Sequence, residues 1–250
     1  MKVFLAGVEH GLNIYIYKEL EKEKNKKHLP ILISYYYMTK KTEQLLPEYK
    51  NILLDSGAFT FMNNFKGKVN WDEYIKNYAD FINKYDIKYF FELDIDAIEG
   101  IKEVERLRNK LETLTNKKCI PVWHKSRGLE YWKKMTKEYD YVAIGGIVVK
   151  EIKQKEYKYF KPLLEIAKKN KCKVHGLGFT NLKLLHKYHF YSVDSTAWTS
   201  GNMFGSIYKF EKNTLKKYNK PEGKKVKSKD TAINNFIEWT KFSEYADKYY

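Results

Sequence analysis

The sequence predicts an α/β fold, a (β/α)8 TIM barrel followed by a basic loop and a C-terminal helix. Eight short runs rich in β-branched and aromatic residues recur along the 250-residue chain. Most of these runs are continuously apolar, which is typical of strands that a parallel sheet buries on both faces. Segments with the helical period separate them, and eight such repeats within roughly 200 residues suit a small TIM barrel. A doubly wound open sheet is the structural alternative.

The predicted strands and helices alternate along the chain. After Asn70, which forms a capping-box pair with Glu73, apolar residues spaced three or four apart run over 71–85, and a second such stripe covers 98–114. Further helices are predicted over 12–24, 128–138 and 180–188, and one before residue 170, where Pro162 obscures the start. The predicted strands are residues 2–7, 30–37, 51–57, 88–94, 119–124, 141–146, 172–178 and 190–194.

The end of the chain departs from this pattern. Residues 209–229 are rich in lysine, contain proline and glycine and lack apolar periodicity, so we expect a linker or a mobile basic loop. Asp230 is then the expected N-cap of a final helix that packs on the barrel. The predicted organisation is a barrel domain over residues 1–208 and a lysine-rich linker with a C-terminal helix over residues 209–250.

The chain is strongly basic, with a formal net charge of +16 from 47 Lys and Arg against 31 Asp and Glu. Such a balance favours a polyanionic partner such as nucleic acid, or an anionic membrane surface. Only three of the basic residues are arginine, and the abundance of Lys, Asn, Tyr and Ile matches the residue usage of an AT-rich genome. The charge therefore has a functional and a compositional interpretation.

The cysteine and hydropathy patterns exclude several classes of protein. Cys119 and Cys172 lie far apart in apolar segments, so we expect neither a disulfide framework nor a zinc cluster, and no cofactor is predicted. The first apolar run is too short for a signal peptide, and no run approaches the roughly 18 apolar residues of a membrane-spanning helix. We expect a soluble, cytoplasmic protein without a membrane partner.

Polar residues and glycines gather at the ends of six of the eight predicted strands. A TIM barrel builds its active site there, because the loops at the C-terminal ends of its strands converge. Turn formation explains each of these residues singly, but it does not explain several carboxylates that face one mouth and repel one another. The residues are Asp55, Asp94, Asp96, His124, Gly145, Gly146, His175, Gly178 and Asp194.

Carboxylates in such a mouth can bind a divalent metal or act as nucleophile and general acid or base. No His-x-His or Glu-x-x-His pattern supports a transition-metal site. Paired carboxylates also suit the chemistry of glycosidic bonds, in which one stabilises or traps an oxocarbenium-like centre and the other moves a proton. The pattern favours this reaction class.

Four motifs occur in order between about residues 50 and 205, namely LLDSGAFTF, YVAIGGI, VHGLGF and FYSVDSTAW. They resemble motifs of the tRNA-guanine transglycosylases and of their relatives that insert 7-deazaguanines into DNA, which phages often encode. The matching family motifs are Asp-Ser-Gly-Gly-(Phe/Tyr)-Gln, Ala-Ile-Gly-Gly-Leu, Met-Gly-Val-Gly and the nucleophilic aspartate that ends the eighth strand. The resemblance is to the phage-type DNA enzymes in particular, which implies the host cytoplasm as the compartment.

The resemblance implies a role for each matching residue. Asp194 would attack the anomeric carbon of the target nucleotide and expel guanine, leaving a covalent glycosyl-enzyme, and Asp55 would be the general acid/base. Asp94 would read the base, or Asp96 would, because the register of FELDID is ambiguous. The remaining base-pocket residues would be Ser56, Phe59 as a stacking ring, Gly145, Gly146 and Gly178, with His124 and His175 in place of a base-binding glutamine and a stacking methionine.

Departures from the family pattern bear on the substrate. The tRNA enzymes carry a cysteine-rich zinc subdomain that this chain cannot form, and their Pro-Thr-Arg after the nucleophile is STAW here. Because these changes affect tRNA-contacting elements, the predicted partner is DNA together with a 7-deazaguanine base, with tRNA as the alternative and with possible helper proteins. Trp198 would stack on an extruded base or lie in the core, and the lysine-rich tract would follow phosphates or be a solvated linker.

Two other classes stay open at this point. A non-catalytic nucleic-acid-binding subunit of a transglycosylase would not need both Asp55 and Asp194, so their presence argues against it. An unrelated glycoside or nucleoside hydrolase could use the same barrel, but DSGAF together with AIGGI argues against that class.

Overall fold

Eight parallel strands form one curled sheet in the computed structural model, which describes residues 1–9, 29–44, 46–49, 51–57, 60, 69–179, 181–199, 205–220 and 222–250. The strands are β1 Lys2–Ala6, β2 Ile31–Ser34, β3 Ile52–Asp55, β4 Tyr89–Phe90, β5 Val122–Trp123, β6 Tyr141–Ile144, β7 Lys173–Gly176 and β8 Ser192–Ser195. Their order in the sheet is β4-β3-β2-β1-β8-β7-β6-β5, so that β1 pairs with both β2 and β8. This order fits the TIM-barrel class, and all eight predicted strands are present.

The two end strands of the sheet, β4 and β5, meet at a seam to which the backbone contributes little. Within the described part of the chain, one parallel bridge joins Phe91 to Ile120. Beyond it, the Val122 N–H donates to Glu92 Oε1 at 2.7 Å, and the Val122 carbonyl accepts from Arg127 Nη1. Charged side chains thus satisfy backbone groups that a neighbouring strand satisfies elsewhere in the sheet.

Alternation along the strands sorts the buried side chains into two layers, because successive residues of a strand point to opposite faces. The outer layer, with Val3 and Leu54 among its members, packs against the helices. The inner layer fills the space that the sheet encloses, and at the C-terminal strand ends its apolar residues give way to polar ones. The inner apolar residues are Phe4, Ala6, Leu32, Leu53, Phe91, Ile120, Val122, Tyr141 and Ala143.

Amphipathic helices cover the outside of the sheet. Asn70 caps the second of them as predicted, since its Oδ1 accepts the Glu73 N–H at 3.2 Å. The predicted helix over 180–188 is only a 3-10 turn at Leu185–Lys187, and the one predicted over 12–24 lies outside the described residues. The helices are α1 Lys40–Glu43, α2 Trp71–Lys84, α3 Asp96–Glu99, α4 Ile101–Thr115, α5 Gly128–Glu138, α6 Phe160–Lys169 and α7 Ser228–Tyr249.

The lysine-rich tract is not a linker throughout, which corrects the prediction. Its first half forms an antiparallel hairpin of β9 Ile207–Glu211 and β10 Thr214–Tyr218. The two turn residues between the strands, Lys212 and Asn213, have φ values of 50° and 63°, a two-residue hairpin turn that usually signals itself by glycine. Without a glycine in the turn, and with three lysines among the ten strand residues, the hairpin was not evident from the sequence pattern.

Helix α7 packs along β1 in the opposite direction. The ring of Phe236 contacts that of Trp198, whose indole donates to the carbonyl of Ala6 at the end of β1. Near the start of β1, Ser243 Oγ donates to the Val3 carbonyl at 3.0 Å. The N-terminus of α7 therefore lies at the C-terminal end of the barrel strands.

Helix α7 begins at Ser228 and not after Asp230, which is a first-turn residue and not the predicted cap. Its predecessor Lys227 occupies the cap position without a capping side-chain bond. Among the described residues, none of the helices combines the length and apolarity that crossing a bilayer requires.

Candidate active site

The predicted site residues come together at the C-terminal ends of the strands. On β3 and β8 the residues two positions after the inner Leu53 and Ser192 are Asp55 and Asp194, and alternation directs both into the mouth of the barrel. His124 stands in the corresponding position two residues after Val122 of β5. The mouth is therefore lined by carboxylates and an imidazole above an apolar interior.

Asp194 is held firmly through one oxygen. Its Oδ1 accepts the backbone N–H of Gly178 at 2.7 Å and lies 3.2 Å from His175 Nε2. Among the described residues, Oδ2 makes no hydrogen bond, and the side chain keeps 13% of its surface exposed. Gly178 has a φ of +64°, and a side chain there would meet Val148 Cγ2 at 2.2 Å, so the loop that holds Asp194 requires glycine.

Asp55 has a different environment. Its Oδ2 accepts the Gly57 N–H at 3.1 Å, in a short turn after β3. Burial raises the pKa of Asp55, and the charges of Asp194 and Asp94 add to that effect and outweigh the hydrogen bond from Gly57, so the pKa reaches about 6. A carboxyl group with this pKa can both release and take up a proton near neutral pH.

Glu9 is a further carboxyl group at this end of the barrel that the sequence interpretation missed. It follows β1, is 5% exposed, and its Oε1 accepts the Ser34 N–H at 3.1 Å. Burial raises its pKa to about 7 against the lowering effect of backbone hydrogen bonds, and the charge of Asp55 contributes. The signal was available, because Glu9 follows the end of its strand as the predicted aspartates do.

His124 bridges two carboxylates. Its Nε2 lies 2.8 Å from Asp94 Oδ2, and its Nδ1 lies 2.8 Å from Glu151 Oε2. Burial alone would lower the pKa of His124, but the hydrogen bonds to Asp94 and Glu151 and the charge of Asp96 raise it to about 9. The imidazole is therefore a cation at neutral pH, and both ring nitrogens are used within the protein.

Two of the three arginines support this cluster from below. Arg127, with a side chain only 2% exposed, donates from Nε to Asp96 Oδ2 at 2.8 Å and lies 3.5 Å from Asp94 Oδ1. Arg108 donates to Glu92, which is fully buried. Asp96 thus serves to anchor Arg127, whereas Asp94 stays 22% exposed at the mouth.

Potential ligand atoms of Asp94, Asp96 and His124 lie within 4.8 Å of one another, which is a spacing that a metal ion could use. In this cluster, however, the guanidinium of Arg127 and the imidazolium of His124 already supply positive charge to both aspartates. A divalent cation would have to displace them, so the donor set fits a metal poorly.

The paired glycines make room for this cluster. A side chain on Gly145 would lie 2.8 Å from Val122 Cγ1 and 2.9 Å from the ring of His124. Gly146 has a φ of +76°, and a side chain there would meet Glu151 Oε2 at 2.5 Å. In this structure, the side chains of His124 and Glu151 occupy the space that the two glycines leave.

Two predicted base-pocket residues are not on the surface of the mouth. Trp198 is fully buried, with its Nε1 donating to the Ala6 carbonyl at 2.8 Å and its ring against Phe236, so a stacking role on an extruded base is wrong. His175 is also fully buried beneath Asp194, where it cannot stack on a base. Phe59 lies outside the described residues.

Ser56 and two tyrosines lie beside Asp55. Ser56 is 1% exposed, and its Oγ has no hydrogen-bond partner among the described residues. Tyr36 and Tyr37 follow β2, are each 40% exposed, and pack edge to face with centroids 5.1 Å apart. The sequence interpretation counted both tyrosines as part of the second strand and did not consider them for the site.

A surface cavity of about 660 Å³ lies at the opposite end of the barrel, between α6 and the start of β7. Lysines such as Lys161, Lys168 and Lys173 rim it. It is distant from the carboxylates at the mouth, and sites of TIM-barrel enzymes lie at the other end of the strands.

Comparisons with known proteins address the fold. No family model matches the chain, and no curated protein matches it either. Among solved structures, the chain is similar to the crystal structure of a "putative fructose-1,6-biphosphate aldolase" from Coccidioides immitis, with a TM-score of 0.55 and 12% identity over 99% of this chain and 87% of that one. At this identity the likeness concerns the fold alone, and it supports the barrel-like class of the curled eight-stranded sheet.

Proposed function

We propose that the protein is a TIM-barrel guanine transglycosylase that exchanges guanine for a 7-deazaguanine in a nucleic acid, with DNA as its substrate. The observation that carries the proposal is the pair Asp55 and Asp194 at one mouth in contrasting environments. Asp194 is held by a backbone N–H and an imidazole, whereas Asp55 is buried with a pKa of about 6. Two carboxyl groups whose environments differ in this way suit separate roles as nucleophile and acid/base.

Asp194 is the nucleophile in this proposal. Because its Oδ1 is held by Gly178 and faces His175, Oδ2 is the oxygen that would attack C1′ of the target nucleotide. The bond between C1′ and guanine N9 breaks, and its electron pair leaves with the base. The product is a glycosyl ester on Asp194, which the incoming base resolves when its ring nitrogen attacks C1′.

Asp55 handles the protons of both steps. In its protonated form it gives a proton to the departing guanine, and as a carboxylate it then accepts the proton of the incoming 7-deazaguanine. A pKa of about 6 keeps both forms accessible near neutral pH. Glu9, whose Oε1 accepts the Ser34 N–H at 3.1 Å, is a second carboxyl group close enough to Asp55 for their charges to interact.

Base recognition falls to Asp94 in preference to Asp96. Asp94 is 22% exposed and contributes to the field at Asp55, whereas Asp96 is 14% exposed and anchors Arg127. His124 orients Asp94 and does not bind the base itself, since both of its nitrogens contact carboxylates. Ser56 is given no contact with the base in this proposal, because its hydroxyl is buried in the described structure.

Basic residues near the mouth support a nucleic-acid substrate. Because the N-terminus of α7 lies at this end, the segment that precedes it carries its exposed lysines beside the mouth. A side chain on Gly205 would meet Lys220 Cδ and Val226 Cγ2, each at 2.9 Å, so this segment lies against Gly205 at the start of the hairpin. Lysines at such a place suit the phosphates that flank a target nucleotide.

The decisive experiment measures base exchange. The protein is incubated with DNA and a radiolabelled 7-deazaguanine, and incorporation is followed together with a denaturant-resistant protein–DNA adduct. We expect both with the wild type and neither with Asp194→Asn, while Asp140→Asn, a change of an exposed aspartate, leaves both intact. Exchange undiminished in Asp194→Asn would remove the nucleophile from the proposal.

The nature of the polymer is tested separately. Labelled guanine is offered with DNA duplex, single-stranded DNA and unmodified tRNA in parallel reactions. Exchange into DNA supports the proposal, and exchange into tRNA alone would overturn the choice of DNA. Binding of DNA without any exchange, by a protein whose fold is intact, would favour the non-catalytic subunit instead.

A further inference from the structure

A chain of hydrogen bonds runs through the interior of the barrel below Asp194. His175 Nε2 lies 3.2 Å from Asp194 Oδ1, and His175 Nδ1 lies 2.6 Å from Ser192 Oγ. Ser192 Oγ is in turn hydrogen-bonded to the hydroxyl of Tyr141, at the start of β6. His175 and Ser192 are fully buried, and Tyr141 is 9% exposed, so the chain crosses the apolar interior from the mouth towards the other end.

The apolar layer encloses this chain. The rings of Phe91 and Phe4 lie 5.3 and 6.1 Å from the imidazole of His175, centroid to centroid. Polar groups in such surroundings are costly unless each one finds a partner. The four side chains therefore form one unit, in which the hydrogens can be assigned by requiring that every donor has an acceptor.

The assignment begins at Tyr141. Burial raises the pKa of Tyr141, so the phenol keeps its hydrogen, and among the described residues Ser192 Oγ is its one hydrogen-bond partner. Tyr141 therefore donates to Ser192, and Ser192 donates to His175 Nδ1. A proton on Nδ1 would leave either the serine or the tyrosine hydrogen without an acceptor. The neutral tautomer with its hydrogen on Nε2 satisfies every group and points that hydrogen at Asp194.

The order of groups differs from that of a serine-hydrolase triad. There the serine faces the substrate and the aspartate is buried behind the histidine. Here Ser192 is buried, and Asp194 is the member with exposed surface, 13% of its side chain. The reactive end of this chain is therefore the carboxylate.

We propose that Tyr141, Ser192 and His175 are positioning residues that lock the His175 tautomer, so that Nε2–H and the Gly178 N–H together hold Asp194 Oδ1 and present Oδ2 to the substrate. This inference rests on the proposed function of Asp194 as nucleophile. It assigns the buried end of the barrel a part in orienting the reacting oxygen. The imidazole acts through the carboxylate and never touches the base.

The first test concerns the tautomer and needs no activity. Protein labelled with 15N in its histidines is examined by long-range 1H–15N NMR at neutral pH, with His175 assigned from the loss of its signals in His175→Gln. We expect a protonated Nε2 and an unprotonated Nδ1 in the wild type, and a changed Nδ1 shift in Ser192→Ala. A hydrogen on Nδ1 of the wild type, or two ring hydrogens, would overturn the assignment.

The second test concerns catalysis by Ser192→Ala and Tyr141→Phe, each checked for its fold by circular dichroism. Because misplacement of a reacting group by a fraction of an ångström slows a reaction strongly, we expect kcat for base exchange to fall on the order of 10- to 100-fold in Ser192→Ala, with an unchanged KM for the base. Tyr141→Phe should give a smaller loss of kcat. Tyr191→Phe removes a phenol that packs 5.4 Å from Tyr141 outside the chain, and it should leave kcat unchanged.

The two tests separate the inference from the function on which it rests. An unchanged kcat in folded Ser192→Ala and Tyr141→Phe would overturn the positioning role even if base exchange is confirmed. Absence of base exchange in the wild type would overturn the proposed function and with it the role of the chain in orienting a nucleophile, whereas the NMR result would still decide the tautomer.

Discussion

His124 and Asp94 form an ion pair across the seam between β5 and β4, with Nε2 2.8 Å from one carboxylate oxygen and 2.9 Å from the other. Glu151 binds the opposite nitrogen at 2.8 Å. The imidazole is thus enclosed by two carboxylates from different loops, and its pKa is raised to about 9 despite burial. Because this histidine is stabilised in its charged form, we expect the fold to lose stability when alkaline pH removes its proton.

We expect the free energy of unfolding to fall as pH rises through about 9. His124 has a folded pKa of about 9 against an ordinary value of 6.5, so its contribution is fully present below pH 6.5 and is lost as pH rises through the folded value. The full contribution is on the order of 3 kcal/mol. Urea unfolding between those pH values should show a loss of stability that His124→Gln lacks. A variant of the exposed His189, His189→Gln, should keep the wild-type slope, and equal slopes for His124→Gln would contradict the prediction.

We expect Asp55→Asn to abolish base exchange and to stabilise the fold at neutral pH. The folded pKa of Asp55 is about 6 against an ordinary value of 3.8, so its favourable contribution is present below pH 3.8 and is lost as pH rises through 6. Asparagine can still accept the Gly57 hydrogen bond and carries no charge. The gain at pH 7 should be on the order of 1 to 3 kcal/mol and should vanish near pH 4. Asp140→Asn is the control. A lower stability of Asp55→Asn at pH 7 would contradict the expectation that the ionised Asp55 carboxylate destabilises the fold.

We expect the lysines before α7 to contribute to the salt dependence of DNA binding, and the lysines of the hairpin not to contribute. The triple variant of Lys220, Lys224 and Lys225 to alanine should flatten the slope of log affinity against log salt by roughly 0.9 for each phosphate that a lysine no longer neutralises. Anisotropy titrations with a labelled DNA oligonucleotide measure this slope.

The matched control removes the same number of charges from the hairpin, at Lys209, Lys212 and Lys216. Lys209 and Lys216 are cross-strand partners on the hairpin face opposite to Phe210, which packs on Phe242 and Tyr245 of α7, and Lys212 lies in the turn. Equal flattening by both triple variants would mean that overall charge, and not position, drives binding.

We expect Trp198→Phe to destabilise the protein without changing exchange kinetics. Loss of the indole leaves the buried Ala6 carbonyl without its donor, which costs about 1 to 3 kcal/mol. Trp239→Phe is the matched control, because the Trp239 indole N–H is buried without a hydrogen-bond partner among the described residues. Thermal unfolding of both variants isolates the hydrogen bond. A reduced kcat in Trp198→Phe would instead return the tryptophan to the substrate site.

The eight parallel strands were predictable because strands that a sheet buries on both faces are continuous apolar runs in the sequence. The meeting of Asp55, His124 and Asp194 at one mouth was also predictable, because the C-terminal ends of parallel strands lie at the same end of the barrel. Glu9 was missed because one carboxylate after a strand is common, and only its burial to 5% distinguishes it. That property depends on residues distant in sequence.

The hydrogen-bond partners of the site residues were less predictable than the positions of these residues at the strand ends. The sequence pattern did not reveal that His175 lies beneath Asp194 or that Arg127 donates a hydrogen bond to Asp96. Such contacts depend on distances that only the folded chain sets. Trp198 illustrates the same limit, since a core ring and a stacking ring have identical sequence signals. The hairpin over 207–218 was hidden by its lysines and by a turn without glycine.

The seam between β4 and β5 makes the closure of the barrel depend on side chains. In a complete ladder, backbone hydrogen bonds would join these two strands, whereas here the buried side chains of Glu92 and Arg127 contact the backbone of Val122. Asp94 and His124 follow the ends of these two strands, so the separation of the two site residues depends on the same buried side chains.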